Sequence, residues 1–170
     1  MLNPDFRDML SAFADAGVEY LVVGAYALAA HGVPRATGDL DCWIRRTEGN
    51  AARTMRALEA FGAPTLDVTI EDLLKPDLVF QIRVEPRRID ILTSIDGVDF
   101  DEAWQHRIVA RINEIDVPVI GLRELVENKR AVGRTRDLAD IERLESEAEQ
   151  RSREGEESNG RNPSRSSGRG

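Results

Sequence analysis

The chain runs from an apolar tetrapeptide, Tyr20-Leu21-Val22-Val23, straight into Gly24, and a second β-prone run, Leu40 to Arg45, has aspartates at 39 and 41 at its start. Between them, Ala25 to His31 is apolar and suits a short helix. Glycine takes backbone angles that other residues avoid, so Gly24 can turn a strand directly into that helix. Strand, tight turn, helix and strand in immediate succession is the grammar of an α/β fold. Alternate residues of a strand face the same way. Asp39 and Asp41 therefore stand side by side, and Cys42 points to the opposite face, into the core. Two adjacent carboxylates repel unless a cation lies between them. Mg2+ suits the position, because it takes hard oxygen ligands and is shared between one or two carboxylates and the phosphates of a substrate.

A third carboxylate lies further along. Leu78–Val84 and Arg88–Leu92 read as a β-hairpin turning through Glu85-Pro86, and Asp90 sits inside its second strand. If that strand lies beside the one carrying Asp39 and Asp41, three carboxylates converge and can hold one or two divalent ions for in-line phosphoryl or nucleotidyl transfer. Other users of paired aspartates fit less well. A haloacid-dehalogenase phosphatase needs Thr or Val two residues past the second aspartate, where this chain has Trp43. Metal-dependent glycosyltransferases carry their pair on a larger, two-lobed scaffold.

The succession of hydrophobic strand, Gly24, helix, Thr37-Gly38-Asp39-Leu40-Asp41 and a later strand with Asp90 resembles the polymerase-β nucleotidyltransferase superfamily. It is similar in particular to the small bacterial nucleotidyltransferases, which include the AbiEii-type toxins and the antibiotic-modifying enzymes. The resemblance runs from about Phe13 to Leu144. It implies a mixed sheet flanked by helices with a C-terminal helical pair, and an enzyme that moves a nucleoside monophosphate from an NTP to a hydroxyl. That hydroxyl would belong to tRNA, a protein or a small molecule. The resemblance also implies a toxin's role beside an antitoxin as one context. Asp39, Asp41 and Asp90 would be the catalytic and metal-binding residues. Gly24, Ala25, Arg35, Thr37 and Lys129 would contact the nucleotide. In the resembling toxins a lysine on the penultimate helix and a following aspartate complete the site; Lys129 matches the first, and Asp137 and Asp140 both match the second. The family usually has Gly-Ser or Gly-Gly where this chain has Gly24-Ala25. Alanine offers no hydroxyl to the triphosphate, although backbone amides at a helix start still attract anions. A catalytically weak nucleotide-binding or partner-binding protein on the same fold is the alternative.

The bland readings stand beside these. Gly24 is also an ordinary turn residue. Arg35 fits a surface ion pair as well as a phosphate contact. Lys129 ends the apolar stripe Leu122, Leu125, Val126 of its helix, where a lysine can also snorkel. His31, ahead of Gly32, reads as a capping or packing histidine rather than a catalytic one. Trp43 shares the facing of Asp39 and Asp41, but packing is the commoner use of a tryptophan.

With 170 residues, a single domain over residues 1–148 is expected, followed by a disordered polar tail over 149–170. The pattern ends the last helix at Glu149; from Ser152 onward no large apolar residue remains to offset the entropy of ordering. A net charge of −8 argues against a protein that coats nucleic acid, although arginines at 83, 87 and 88 or at 130, 134 and 136 leave room for a local basic patch. A single cysteine excludes an internal disulfide and suits a reducing cytoplasm, the expected location. No apolar run approaches the roughly 20 residues of a membrane span, and the start does not read as a signal peptide.

Overall fold

The computed structural model describes residues 2–36 and 38–160. Helix α1 (Pro4–Ala16) starts on Asn3, whose side chain accepts from the Asp5 amide at 2.8 Å, and stops at Gly17 in the left-handed region. Its buried stripe, Phe6, Met9, Leu10 and Phe13, follows helical spacing. Strand β1 (Tyr20–Val23) is buried at all four positions, as a central strand must be. It leads through helix α2 (Gly24–Ala30) to strand β2 (Asp39–Ile44). Helix α3 (Glu48–Phe61) begins a turn earlier than its apolar residues announce, because the Thr47 side chain caps the Asn50 amide. Helix α4 (Ile70–Leu74) starts with a Thr69/Asp72 capping box.

The hairpin is present as β3 (Val79–Val84) and β4 (Arg87–Leu92). Helix α5 (Phe100–Gln105), strands β5 (Ile108–Ile112) and β6 (Ile115–Val119), and helices α6 (Leu122–Val132) and α7 (Thr135–Asn159) complete the order. Among the described residues, six strands form one mixed sheet in the order β3-β4-β2-β1-β6-β5. β1 is antiparallel to β2 and parallel to β6, and β2 is parallel to β4. Leu40, Cys42 and Ile44 of β2 and Ile89 and Ile91 of β4 fill one face of the sheet and are almost wholly buried. Burial pushes the Cys42 thiol well above the usual range, which suits a core residue.

One polar residue sets where β2 begins and ends relative to β1. Asn50 is fully buried; its Nδ2 donates to the Glu19 carbonyl at 2.9 Å and the Arg45 carbonyl at 2.8 Å, and its Oδ1 accepts from the Glu19 amide at 2.7 Å. These bonds tie the start of β1 to the end of β2 and so hold the antiparallel register that places Val23 opposite Asp41.

α7 does not end at Glu149 but continues to Asn159. Glu147 and Arg151, and Glu149 and Arg153, are spaced four apart, a favourable order of charges on a helix surface. Arg151 and Glu147 also lie against Gly32: a Cβ at that glycine would overlap the Arg151 guanidinium and come within 3.3 Å of Glu147 Oε2. Favourably spaced charges and this contact accompany the helix where apolar content alone gives no reason for it. Residues 161–170 of the expected tail lie outside the described residues. No helix among those described is long and apolar enough to cross a membrane.

Candidate active site

The parallel pairing of β2 with β4 sets Asp41 directly opposite Asp90 and Asp39 opposite Arg88. Paired residues of adjacent strands point to the same side, so three carboxylates and one guanidinium form a block on the face away from Leu40 and Ile89. Asp41 and Asp90 are close enough to share a hydrogen bond, which two carboxyl groups form only with a proton between them. Asp90 is buried, and the Arg88 fork grips it at both oxygens: Nε donates to Oδ1 at 2.6 Å and Nη2 to Oδ2 at 3.0 Å. The same Nη2 reaches Asp39 Oδ2 at 3.2 Å.

The aspartates of β2 and β4 are legible in the sequence, whereas Arg88 reads there only as one member of a basic patch. Its position two residues before Asp90 in one strand is the available signal for the pairing, since i and i+2 share a face. Arg88 does for Asp39 and Asp90 part of what a cation would do, and its own guanidinium is held charged by Asp90.

Asp41 has the opposite experience. Burial, then the neighbouring charges of Asp90 and Asp39, push its carboxyl from the usual range to about 6, and Arg88 only partly offsets them. The folded chain therefore keeps a proton there that the unfolded chain releases near the ordinary carboxylate pKa. The stability linked to that proton is present in full below about pH 4 and is lost as the pH rises through about 6. In chelator-treated buffer, Asp41→Asn should consequently melt higher than the parent at about pH 7.5, with the gap narrowing toward about pH 4. Mg2+ should raise the melting temperature of the parent more at the higher pH. Melting curves across that range check both; a gap independent of pH would mean that Asp41 does not carry the strain.

Gly24 makes the crowding sterically feasible. It follows β1 directly, with φ +66, and a Cβ there would overlap Asp41 Oδ2 and lie 3.1 Å from its Cγ. The glycine is thus doubly required, by its backbone angle and by the carboxylate lying against it. Ala25 follows within α2, half-buried. Thr37, expected beside the nucleotide, lies outside the described residues.

The remaining expected nucleotide contacts meet each other. Lys129 is buried on α6, and its Nζ lies 2.9 Å from Asp140 Oδ2 and 3.4 Å from Asp137 Oδ1, both on α7 and both buried. Arg35 also pairs with Asp140, and Arg134 Nε donates to Asp137 at 2.7 Å. Burial raises Asp137, but the Arg134 hydrogen bond and the Lys129 charge outweigh it and hold its carboxyl below the usual range. Three cations on two carboxylates leave the group net positive. Arg35 lies four positions ahead of Asp39, so this network ties the C-terminal helical pair to the segment that enters β2. Both aspartates named as alternatives belong to it.

His31 Nε2 donates to the Ile120 carbonyl at 2.8 Å, a packing role at the end of α2. Trp43 is buried with its ring edge-on to Phe100, centroids 4.9 Å apart. A groove of about 660 Å³ between α1 and α3 is lined by other residues, among them Asp5, Asp8, Asp15 and Arg56, so size alone does not point to the aspartates.

Several solved structures share the fold. A candidate nucleotidyltransferase from Thermotoga maritima superposes with a TM-score of 0.57 at 16% identity, covering 86% of this chain and 96% of its own. The aminoglycoside nucleotidyltransferase ANT(2″)-Ia, solved with adenylyl-2″-tobramycin, gives 0.51 at 15% identity over 87% of this chain and 95% of its own. The fold is therefore nucleotidyltransferase-like, as the strand–Gly–helix–strand succession implies. No protein-family model and no curated protein matches the chain.

Proposed function

We propose that the chain is a metal-dependent nucleotidyltransferase that moves a nucleoside monophosphate from an NTP to a hydroxyl acceptor. The observation that carries this reading is the register of β2 on β4, which opposes Asp41 to Asp90 with Asp39 alongside and Gly24 pressed against Asp41. The all-oxygen donor set, together with Asp41's resistance to ionising beside two other carboxylates, fits Mg2+. Asp39 and Asp41 would hold the ion that accompanies the triphosphate, and Asp90 a second one; bound there, Mg2+ would neutralise phosphate charge. As the alternative to holding that second ion, Asp90 accepts the proton of the attacking hydroxyl. The acceptor oxygen bonds to the α-phosphorus, the bond from that phosphorus to the bridging oxygen breaks, and pyrophosphate leaves. Backbone amides after Gly24 face the β and γ phosphates in place of the hydroxyl that Ala25 lacks. Arg35 and Lys129 contribute through the net positive network they form with Asp137 and Asp140. Catalysis on these terms is positioning plus electrostatic stabilisation.

The acceptor class is tRNA, protein or a small molecule, and ANT(2″)-Ia, with its adenylylated tobramycin, lends support to the last. The same transfer onto a cellular RNA or protein would arrest growth, which is where the likeness to toxins enters. The test is incubation of purified protein and Mg2+ with each α-labelled NTP and three separate pools: total RNA, total protein and aminoglycosides. Label is expected in one pool, with pyrophosphate released in equal amount. Silence with all four NTPs in every pool would replace the enzyme by a nucleotide-binding protein on this fold.

A further inference from the structure

A second group of ligating side chains lies outside the aspartate block. Glu102 in α5 and His106, which caps that helix, are four residues apart and share a side. Glu124 approaches them from the first turn of α6. One ligating atom from each lies within 4.8 Å of the others. Glu124 is 0% exposed. Its Oε1 accepts from His106 Nδ1 at 2.5 Å, while its Oε2 is buried without a hydrogen-bond partner among the described residues. A Cβ at Gly121 would come within 3.0 Å of that oxygen, so the carboxylate is confined rather than free to turn toward solvent. A buried carboxylate with one bare oxygen carries the full desolvation penalty of that atom, and a cation is one thing that relieves it.

The other two groups are accessible. Glu102 and His106 are exposed, which gives an ion a way in. Arg123 claims Glu102 only loosely, its Nη2 standing 3.5 Å away while its Nε donates to Glu127 at 3.1 Å. We propose that Glu102, His106 and Glu124 bind a first-row transition-metal dication of the Zn2+ class. One imidazole with two carboxylates suits such an ion better than Mg2+, which prefers oxygen alone. Three protein ligands leave a fourth position for water. Bonds of about 2.0–2.1 Å set tetrahedral ligand atoms roughly 3.3 Å apart, so the exposed Glu102 side chain draws in by changing rotamer while the exposed His106 ring draws back from Glu124 Oε1. At His106 the ion takes the place of the Nδ1 proton, which moves to Nε2 or to solvent. The ion would then clamp the end of α5 to the start of α6.

The chain has two histidines, and His31 is buried with its Nε2 on the Ile120 carbonyl. A nitrogen ligand on a bound metal therefore identifies His106. The experiment uses the untagged full chain, stripped with chelator and returned to about millimolar Mg2+, then titrated calorimetrically with Zn2+. X-ray absorption at the zinc edge is measured at one equivalent. Expected are one tight site, an imidazole nitrogen in its coordination shell, affinity at least tenfold weaker in both Glu102→Gln and His106→Gln, and unchanged affinity in Asp41→Asn. Both ligand variants alter exposed side chains, which avoids the folding risk of changing Glu124. Absence of tight binding overturns the proposal, as does an all-oxygen shell. So does a site that survives His106→Gln or is lost in Asp41→Asn.

Discussion

Asp90→Asn should lower nucleotide transfer by at least about 100-fold, the low end of what a positioned general base contributes, while NTP binding stays nearly intact. The substitution keeps the shape of a buried side chain whose surroundings leave little slack. It removes the charge that Arg88 grips at two oxygens, and with it the acceptor for the incoming hydroxyl's proton. Arg88 keeps Asp39 as a partner, so the fold is not left with a stranded cation. Asp39 and Asp41 remain to hold the ion that accompanies the nucleotide. A second readout follows from the electrostatics. Asp90 is one of the charges that push Asp41 upward, so removing it should bring the Asp41 carboxyl back toward the usual range. Single-turnover transfer and nucleotide titration, each across pH, separate the two effects. Full activity in the variant would remove Asp90 from the reaction and leave the fold as it is. Binding and transfer lost in equal measure would make it a ground-state ligand rather than a base.

Gly24→Ala should be nearly as damaging, from a residue with no functional group. Its backbone lies at φ +66, where an L side chain adds about 1–2 kcal/mol of strain. The larger consequence is steric, because the added methyl would occupy the place of Asp41 Oδ2. Either the turn or the carboxylate must move, and a displacement of about 1 Å at a reacting centre is enough to cost about 100-fold in rate. Activity should therefore collapse while the melting temperature drops by only a few degrees. If transfer survives in Gly24→Ala, the approach of Asp41 to the β1–α2 turn is not what positions it. Gly38→Ala is the control: it lies just ahead of β2, and a Cβ there meets nothing within 4 Å among the described residues.

The aspartate block is legible in the sequence because each of its rules is local. Period two along β2 puts Asp39 and Asp41 on one face, and a glycine after an apolar strand announces a turn. The same locality explains what the sequence conceals. Lys129 reads as a cation at the edge of an apolar stripe, and the stripe says nothing about what lies across from it. Its partners come from α7, and the Arg35 that joins them comes from the segment between α2 and β2. Asn50 looks like one more polar residue in a helix start, yet its three bonds hold the ends of β1 and β2 together. The helix beyond Glu149 is hidden for a different reason: apolar content stops there, while spaced charges and a contact at Gly32 accompany its continuation.

What the chain determines alone is the order of elements, the facing of each side chain within its element and the crowding of carboxylates in one strand, since these depend on backbone periods and neighbours in sequence. Which strand lies beside which is a matter of long-range packing. Only the parallel register of β2 on β4 brings Asp90 to Asp41, inserts Arg88 between Asp39 and Asp90, and raises the Asp41 carboxyl to about 6. Charges act through space, at distances that sequence separation does not record, and so the electrostatics of the site belong to the tertiary structure.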